Sequence, residues 1–186
     1  VFGIGTGEPN LPVLESGYRL YYELPQDPSL AFIWAPDTSD IRSEGMSYGM
    51  MIAVQMDLQS QYDRLWKFAR TYLQYPADSA VTPWRHYFRW QGSVDISDPQ
   101  SWVVNYDALK GPAPDGEEYF AAALYLADRR WGSNGAVNYR AEAESLTSAM
   151  LHNPASGGRT PVIDASSDMV VFSPEGTAAT FSDPSY

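Results

Sequence analysis

The sequence predicts an all-α chain of stacked helical hairpins whose long loops carry the chemistry. Three observations lead there: four segments repeat apolar residues with the helical period, start and stop signals punctuate them, and the stretches between collect aromatic rings and carboxylates.

Residues 1–39 show no helical period and carry Pro at 9, 12, 25, 28 and 36. Loops and short extended pieces are expected there, around the aromatic runs Tyr18-Arg19-Leu20-Tyr21-Tyr22 and Ala31-Phe32-Ile33-Trp34. From Ser43 the pattern changes: Met46, Met50, Ala53 and Val54 fall on one face of a helix over about 43–57, with Ser43 as its N-cap. A second helix starts at the capping-box-like Ser60-Gln61-Tyr62-Asp63. Tyr62, Leu65, Trp66, Ala69, Tyr72 and Leu73 line one of its faces until Pro76 ends it. Residues 75–113 are irregular and rich in Trp, Tyr, Asp, Pro and Gly, as functional loops are.

The third helix follows Pro114, with Phe120, Ala123, Leu124, Ala127 and Trp131 on one face. Asp115, Glu117 and Glu118 in its first turn, Arg129 and Arg130 in its last, and Gly132 beyond agree with the helix dipole and a stop. The fourth occupies about 139–152 behind the N-cap Asn138, turns Ala143, Leu146, Ala149 and Met150 inward, and stops at Asn153-Pro154. A short extended segment near 160–173 closes the reading, built on Pro161-Val162-Ile163 and Met169-Val170-Val171-Phe172.

Composition excludes several function classes. The 186 residues are 44% hydrophobic and 19% charged, enough for a buried core in a single domain, and the net charge is −11. Without a Lys/Arg cluster to interrupt it, that charge disfavours nucleic acid and anionic membrane surfaces, and no run is long and apolar enough to span a bilayer. The absence of Cys removes disulfides and thiolate chemistry, and two distant His residues make a catalytic metal improbable, so no cofactor is expected. Compartment is left open. Two motifs are decoys: Gly3-Ile4-Gly5-Thr6-Gly7 lacks the flanking strand and helix of a dinucleotide loop. Gly45-Met46-Ser47-Tyr48-Gly49 matches a nucleophile elbow in letters, but polar residues precede Ser47 where a strand is required.

Carboxylates remain. Glu44 and Asp115 each sit in the first turn of a helix, beneath loops bearing Trp and Tyr, an arrangement that glycoside hydrolysis can use. Capping is the ordinary explanation for such acids, since the dipole alone favours them by ~0.3–1 kcal/mol. A general acid at Glu44 would need a raised pKa, which burial beside Met and aromatic neighbours could supply.

The segment Arg42-Ser43-Glu44-Gly45-Met46-Ser47-Tyr48-Gly49-Met50-Met51-Ile52-Ala53-Val54-Gln55 closely resembles the acid-bearing segment of glycoside hydrolase family 8, the inverting endoglucanases, chitosanases and xylanases. Ala113-Pro114-Asp115-Gly116-Glu117-Glu118-Tyr119-Phe120, continuing to Trp131, resembles the family's other signature, departing from it at Pro114, Glu117, Phe120 and Tyr125. Its form is most similar to the reducing-end xylose-releasing exo-oligoxylanases, which implies xylo-oligosaccharides as substrate. The resemblance reaches Phe181-Ser182-Asp183-Pro184-Ser185-Tyr186.

It implies a partial (α/α)6 barrel, with residues 1–186 as the N-terminal part of one catalytic domain. Glu44 is implied as general acid and Asp115 as the carboxylate that holds and distorts the sugar. Trp90 is implied as a stacking platform and Tyr186 as the residue that orders the attacking water. The general base, an Asp in the family, is expected in a second half of the barrel beyond this sequence. The alternatives are a non-catalytic carbohydrate-binding chain and, within the family, β-1,4-glucanase or chitosanase specificity, and exposed half-barrel faces would favour self-association.

Overall fold

Helices occupy the four periodic segments as α1 (Ser43–Gln55), α2 (Gln59–Phe68), α3 (Pro114–Trp131) and α4 (Tyr139–His152). The computed structural model describes residues 13–14, 17–76, 84–95, 97–98, 100–106, 110–156 and 158–175. Every residue assigned to an inward helical face is buried except Tyr72 and Trp131, which are partly so.

The helix ends have local causes. Asp57 takes a left-handed conformation, φ 60°, just after α1, and the Leu58 N–H closes onto the Ala53 carbonyl at 2.9 Å. This is the wrap that commonly ends a helix, with Asp where Gly is usual. The Asp57 carboxylate holds it by accepting from Arg130 Nε at 3.0 Å and Trp131 Nε1 at 2.8 Å. Asn138 caps α4 as predicted, its Oδ1 accepting from the Ala141 N–H at 3.0 Å. The caps expected at Ser43 and Ser60 are corrected: Arg42 and Leu58 occupy those positions without side-chain capping bonds. Ser43 is already inside α1, and its N–H is donated to the Trp90 carbonyl at 3.0 Å. Beyond Phe68, α2 widens into a π-helical turn, Ala69–Leu73, closed by the Gln74 N–H on the Ala69 carbonyl at 3.0 Å.

The all-α expectation is corrected too. Among the described residues four small antiparallel sheets accompany the helices. Strands β1 (Val13–Leu14) and β2 (Gly17–Tyr18) pair with each other. Strands β3 (Tyr21–Leu24) and β4 (Asp27–Ile33) form a hairpin in register Tyr22↔Phe32, bulged between Glu23 and Leu24. Aromatic and β-branched residues favour such pairing, and these runs are too short for a helix. Tyr22, Phe32, Phe68 and Trp102 stack into one aromatic cluster between this hairpin and α2. In the predicted loop 75–113, β6 (Gln91–Asp95) pairs with β7 (Val103–Tyr106) and with β5 (Ile41–Arg42), which runs directly into α1. The segment near 160–173 is the expected pair of short strands, β8 (Ile163–Asp164) and β9 (Met169–Val170).

α1 packs against α2 and α3, and α3 against α4. α1 and α3 run side by side in the same direction: Ser43 meets Gly116 at their starts, and one turn on the Tyr48 and Tyr119 rings meet edge to face at 4.9 Å. Gly116 makes the approach possible, because a Cβ there would lie 2.5 Å from Ser43 Oγ and 2.9 Å from Ser43 Cβ. Gly116→Ala is therefore expected to destabilise the fold by about 1–3 kcal/mol, the usual cost of overpacking. Urea unfolding measures the loss, and Ser43→Gly in the same chain should return part of it.

Candidate functional site

The touching helix starts bring Glu44 and Asp115 together. Each carboxyl is partly exposed in a first turn, and Asp115 Oδ1 accepts from the Gly116 N–H at 2.8 Å. Ser43 Oγ donates to Glu44 Oε2 at 3.3 Å. Burial pushes the Glu44 pKa up and the negative charge of Asp115 adds to it, against the lowering influence of Glu44's own N–H, Ser43 and Arg42. A proton on Glu44 is thereby held more firmly than on a free glutamate.

Trp90 enters the same neighbourhood through its backbone, donating its N–H to Gly111 at 3.1 Å while its carbonyl accepts from Ser43. Its partly exposed ring has the Arg42 guanidinium at 5.8 Å and the Lys110 ammonium at 5.0 Å from its centroid. Arg89, buried just before it, is wedged between the Tyr75 and Tyr106 rings at 4.2 and 4.7 Å. Its N–H and Nη1 both donate to the Leu73 carbonyl, at 2.8 and 3.2 Å, at the end of the π-helical turn. Lys110 also borders a groove of about 530 Å³ lined by Ser39, Asp40, Gln91, Ser93, Asn105 and Tyr106. Hydroxyls, amides and a ring edge suit a polyhydroxylated ligand. Asp40 is buried in its wall. Burial alone would raise its pKa, but hydrogen bonds from Thr38, Gln91 and Arg42 prevail and lower it. A larger concavity of about 1010 Å³ lies between α2 and the start of α4. Its cations are already engaged, Arg64 by Glu23, Lys67 by Ser29 and Arg70 by Glu142.

Ser47 is fully buried and donates its hydroxyl to the Glu44 carbonyl at 2.9 Å. The two His residues line a separate cavity of about 180 Å³ with Arg85, Ser145 and Ser148, so Ser47 has no imidazole to activate it among the described residues. Tyr186 and the Gly3–Gly7 stretch lie outside the described residues.

One carboxyl escaped the sequence reading as a site residue. Glu117 is fully buried, accepts the Phe88 N–H on Oε1 at 2.8 Å, and its Oε2 has no hydrogen-bond partner among the described residues. A signal existed, because Glu117 lies three and seven residues before Phe120 and Leu124, on the apolar face of α3. Tyr48, exposed one turn past Glu44, was also overlooked; partial burial and the charges of Asp115 and Glu44 push its phenol pKa up.

Carboxyls at the starts of adjacent helices, with a polar groove and aromatic rings alongside, are what glycoside hydrolysis can use. The chain belongs to glycosyl hydrolases family 8, whose family model matches residues 35–165. It is 40% identical over 169 residues to the reducing-end xylose-releasing exo-oligoxylanase Rex8A of Paenibacillus barcinonensis, which covers 90% of this chain and 40% of that protein. A reducing end xylose-releasing exo-oligoxylanase of Halalkalibacterium halodurans is 38% identical over 172 residues, covering 90% and 39%. Endoglucanase A of Acetivibrio thermocellus is 31% identical over 114 residues, covering 61% and 21%. The solved structure of Rex8A complexed with xylose matches with a TM-score of 0.73 at 39% identity, over 91% of this chain and 40% of that one. The chain thus spans about two fifths of the length of the exo-oligoxylanases it matches.

The raised Glu44 pKa has a stability consequence. The folded protein holds this proton more tightly than the unfolded chain, so stability falls as pH climbs from the ordinary glutamate pKa to the raised one and is level above it. Glu44→Gln is expected to match the parent at acid pH and exceed it in stability near neutrality, as read by urea unfolding across pH. In the parent, Asp115→Asn should lower the Glu44 titration midpoint followed by carboxyl NMR.

Proposed function

We propose that these four helices are the first pairs of an (α/α)6 barrel in the single catalytic domain of an inverting β-1,4-glycosidase acting on xylo-oligosaccharides or xylan. The observation that carries the reading is the side-by-side placement of Glu44 and Asp115 at the starts of α1 and α3, in a family 8 chain. Two relatives named for releasing xylose from reducing ends favour a xylose-based substrate, and the structure of a Rex8A variant with an arabinofuranosyl-xylotetraose points the same way.

In this reading Glu44, whose proton is held more firmly because of burial and the charge of Asp115, gives it to the leaving glycosidic oxygen as the bond to the anomeric carbon breaks. Asp115 accepts hydrogen bonds from the hydroxyls of the sugar being distorted, and Trp90 stacks on a neighbouring ring. The attacking water approaches the opposite face, where a carboxylate base takes its proton; the family resemblance gives Tyr186 the role of ordering that water. Inversion needs that base ~6.5–9.5 Å from the acid to leave room for the water. We assign it to a part of the barrel other than these four helices. Ser47, buried and spent on a backbone carbonyl, takes no part.

The test uses the protein that carries this chain, incubated with xylotetraose and followed by NMR of the anomeric protons. Released product of inverted configuration is expected. Glu44→Gln should cut turnover of unactivated substrate by ~10²–10⁴-fold, the usual contribution of a general acid, while sugar binding persists. Full activity in that variant would overturn the assignment, and binding without hydrolysis in the parent would make the chain a carbohydrate-binding module.

The barrel reading also assigns further helical pairs to the side of α1 and α3 where, among the described residues, Tyr48, Ile52, Met56, Tyr119 and Leu126 are exposed. The 186-residue chain by itself is then expected to self-associate through this face, because soluble monomers rarely leave such patches open. Sedimentation velocity should show concentration-dependent oligomers that Ile52→Glu with Leu126→Glu disperses; a compact monomer at all concentrations would count against the barrel assignment.

A further inference from the structure

Glu117 is a carboxyl in a place where a charge is expensive. It shows no exposed surface, and Phe88, whose N–H it accepts, stacks on Phe120 at 4.5 Å and Trp66 at 5.7 Å. An ionised carboxylate here would leave Oε2 both charged and unpaired, a penalty that proteins avoid by keeping such a group neutral. The ionisable groups around it reinforce this: Glu44 on α1, Asp115 on its own helix and the Tyr87 phenol on the segment that holds Phe88. The negative charge of Asp115, and that of Glu44 whenever it is ionised, further disfavour a charge on Glu117, against the lowering influence of the Phe88 N–H and of Glu117's own N–H.

Its one strong hydrogen bond is placed where it matters. The contacts form a closed triangle: Glu117 ties the start of α3 to Phe88, Trp90 two residues on ties the same segment to the Ser43 N–H at the start of α1, and Gly116 seats against Ser43 to close it. Each corner bears one residue of the candidate site, Asp115, Trp90 and Glu44. Gly116 and the Trp90 carbonyl act through backbone and shape; Arg89 ties the segment to α2, and Glu117 is the side chain that ties it to α3.

We infer that Glu117 is a positioning residue of the sugar site, a neutral carboxylic acid whose Oε1 holds the Phe88 N–H and so fixes Trp90 relative to Glu44 and Asp115. It touches no reacting atom. The inference rests on the glycosidase reading for its meaning, but its geometry can be tested without sugar.

The experiment compares Glu117→Gln and Glu117→Met by amide hydrogen exchange, by carboxyl NMR titration of Glu44 and by binding of xylotetraose. Gln offers an acceptor at the same point without charge, so Phe88 protection, the Glu44 midpoint and affinity should all stay as in the parent. Met fills the space without an acceptor, so the Phe88 amide should exchange at least tenfold faster while amides of α4 keep their rates, and xylotetraose affinity should fall at least tenfold. If Met prevents folding, Glu117→Asp, with its carboxyl drawn back by one methylene, is read the same way. A lower Glu44 midpoint in Glu117→Gln would reveal a charged Glu117 and overturn the inference, as would parent-like Phe88 exchange in Glu117→Met or, where that variant does not fold, in Glu117→Asp. Should the parent fail to bind xylotetraose, the glycosidase reading falls, while Phe88 exchange and the Glu44 midpoint still decide whether Glu117 is the neutral tie.

Discussion

The contact between Ser43 and Gly116 is the constraint on which the rest of the site depends. Two helix starts cannot lie this close if either carries a branched or bulky side chain at the crossing, and the missing Cβ of Gly116 removes the obstacle. Once they touch, the acidic residue beside each contact point has its place decided, Glu44 immediately after Ser43 and Asp115 immediately before Gly116. The β5 strand leading into α1 pairs with β6, so Trp90, just before β6, is brought in by the same stroke. Position at this site is therefore largely a backbone property, and side chains refine it.

Electrostatics at the site works against the stability of the fold. Helix N-termini favour negative charge by ~0.3–1 kcal/mol, yet Glu44 titrates higher than a free glutamate because burial and a neighbouring acid prevail over the dipole. Glu117 goes further, with an oxygen that has no hydrogen-bond partner among the described residues, close enough to the other two acids to feel their charge. Arrangements of this kind persist where function requires a held proton, and proteins accept lower stability there. Asp40 shows the contrast: it too is largely covered, though less deeply than Glu117, but donors from Thr38, Gln91 and Arg42 converge on it and its pKa is lowered.

The helices were legible because the signals that define them are local. Met46, Met50 and Ala53, or Phe120, Leu124 and Ala127, repeat at a spacing that only a helix can place on one side, and Asn138 and Gly132 mark ends by short-range chemistry. The short extended pieces before residue 39 and near 160–173 were legible as well, their partners lying close by in sequence, whereas the sheet of β5, β6 and β7 was not, since β5 and β6 lie about fifty residues apart. Gln91 and Gly92 carry no strand signal until Arg42 and Ile41 lie opposite. Ser43 has the composition of a cap, but a remote carbonyl at Trp90 satisfies its N–H first, and the helix starts one residue earlier than a local reading allows. Glu44 and Asp115 could be singled out from position and resemblance, while their adjacency required Gly116 to be seen against Ser43. Glu117 lay on a visibly apolar face, and only its burial turns that oddity into a question about protons.

The π-helical turn at Ala69–Leu73 ties α2 to the platform in a less obvious way. An α-helix advances about 100° per residue, so one surplus residue swings the last carbonyls through roughly that angle. Those of Leu73 and Gln74 end up against Arg89, and Arg89 in turn is clamped by two rings immediately before Trp90. The phase of α2 is in this way transmitted through Arg89 to the segment that carries Trp90. Insertions or deletions of a single residue between Phe68 and Gln74 would rotate the wrong carbonyl toward Arg89, so chain length in this stretch is as constrained as residue identity at the carboxyls.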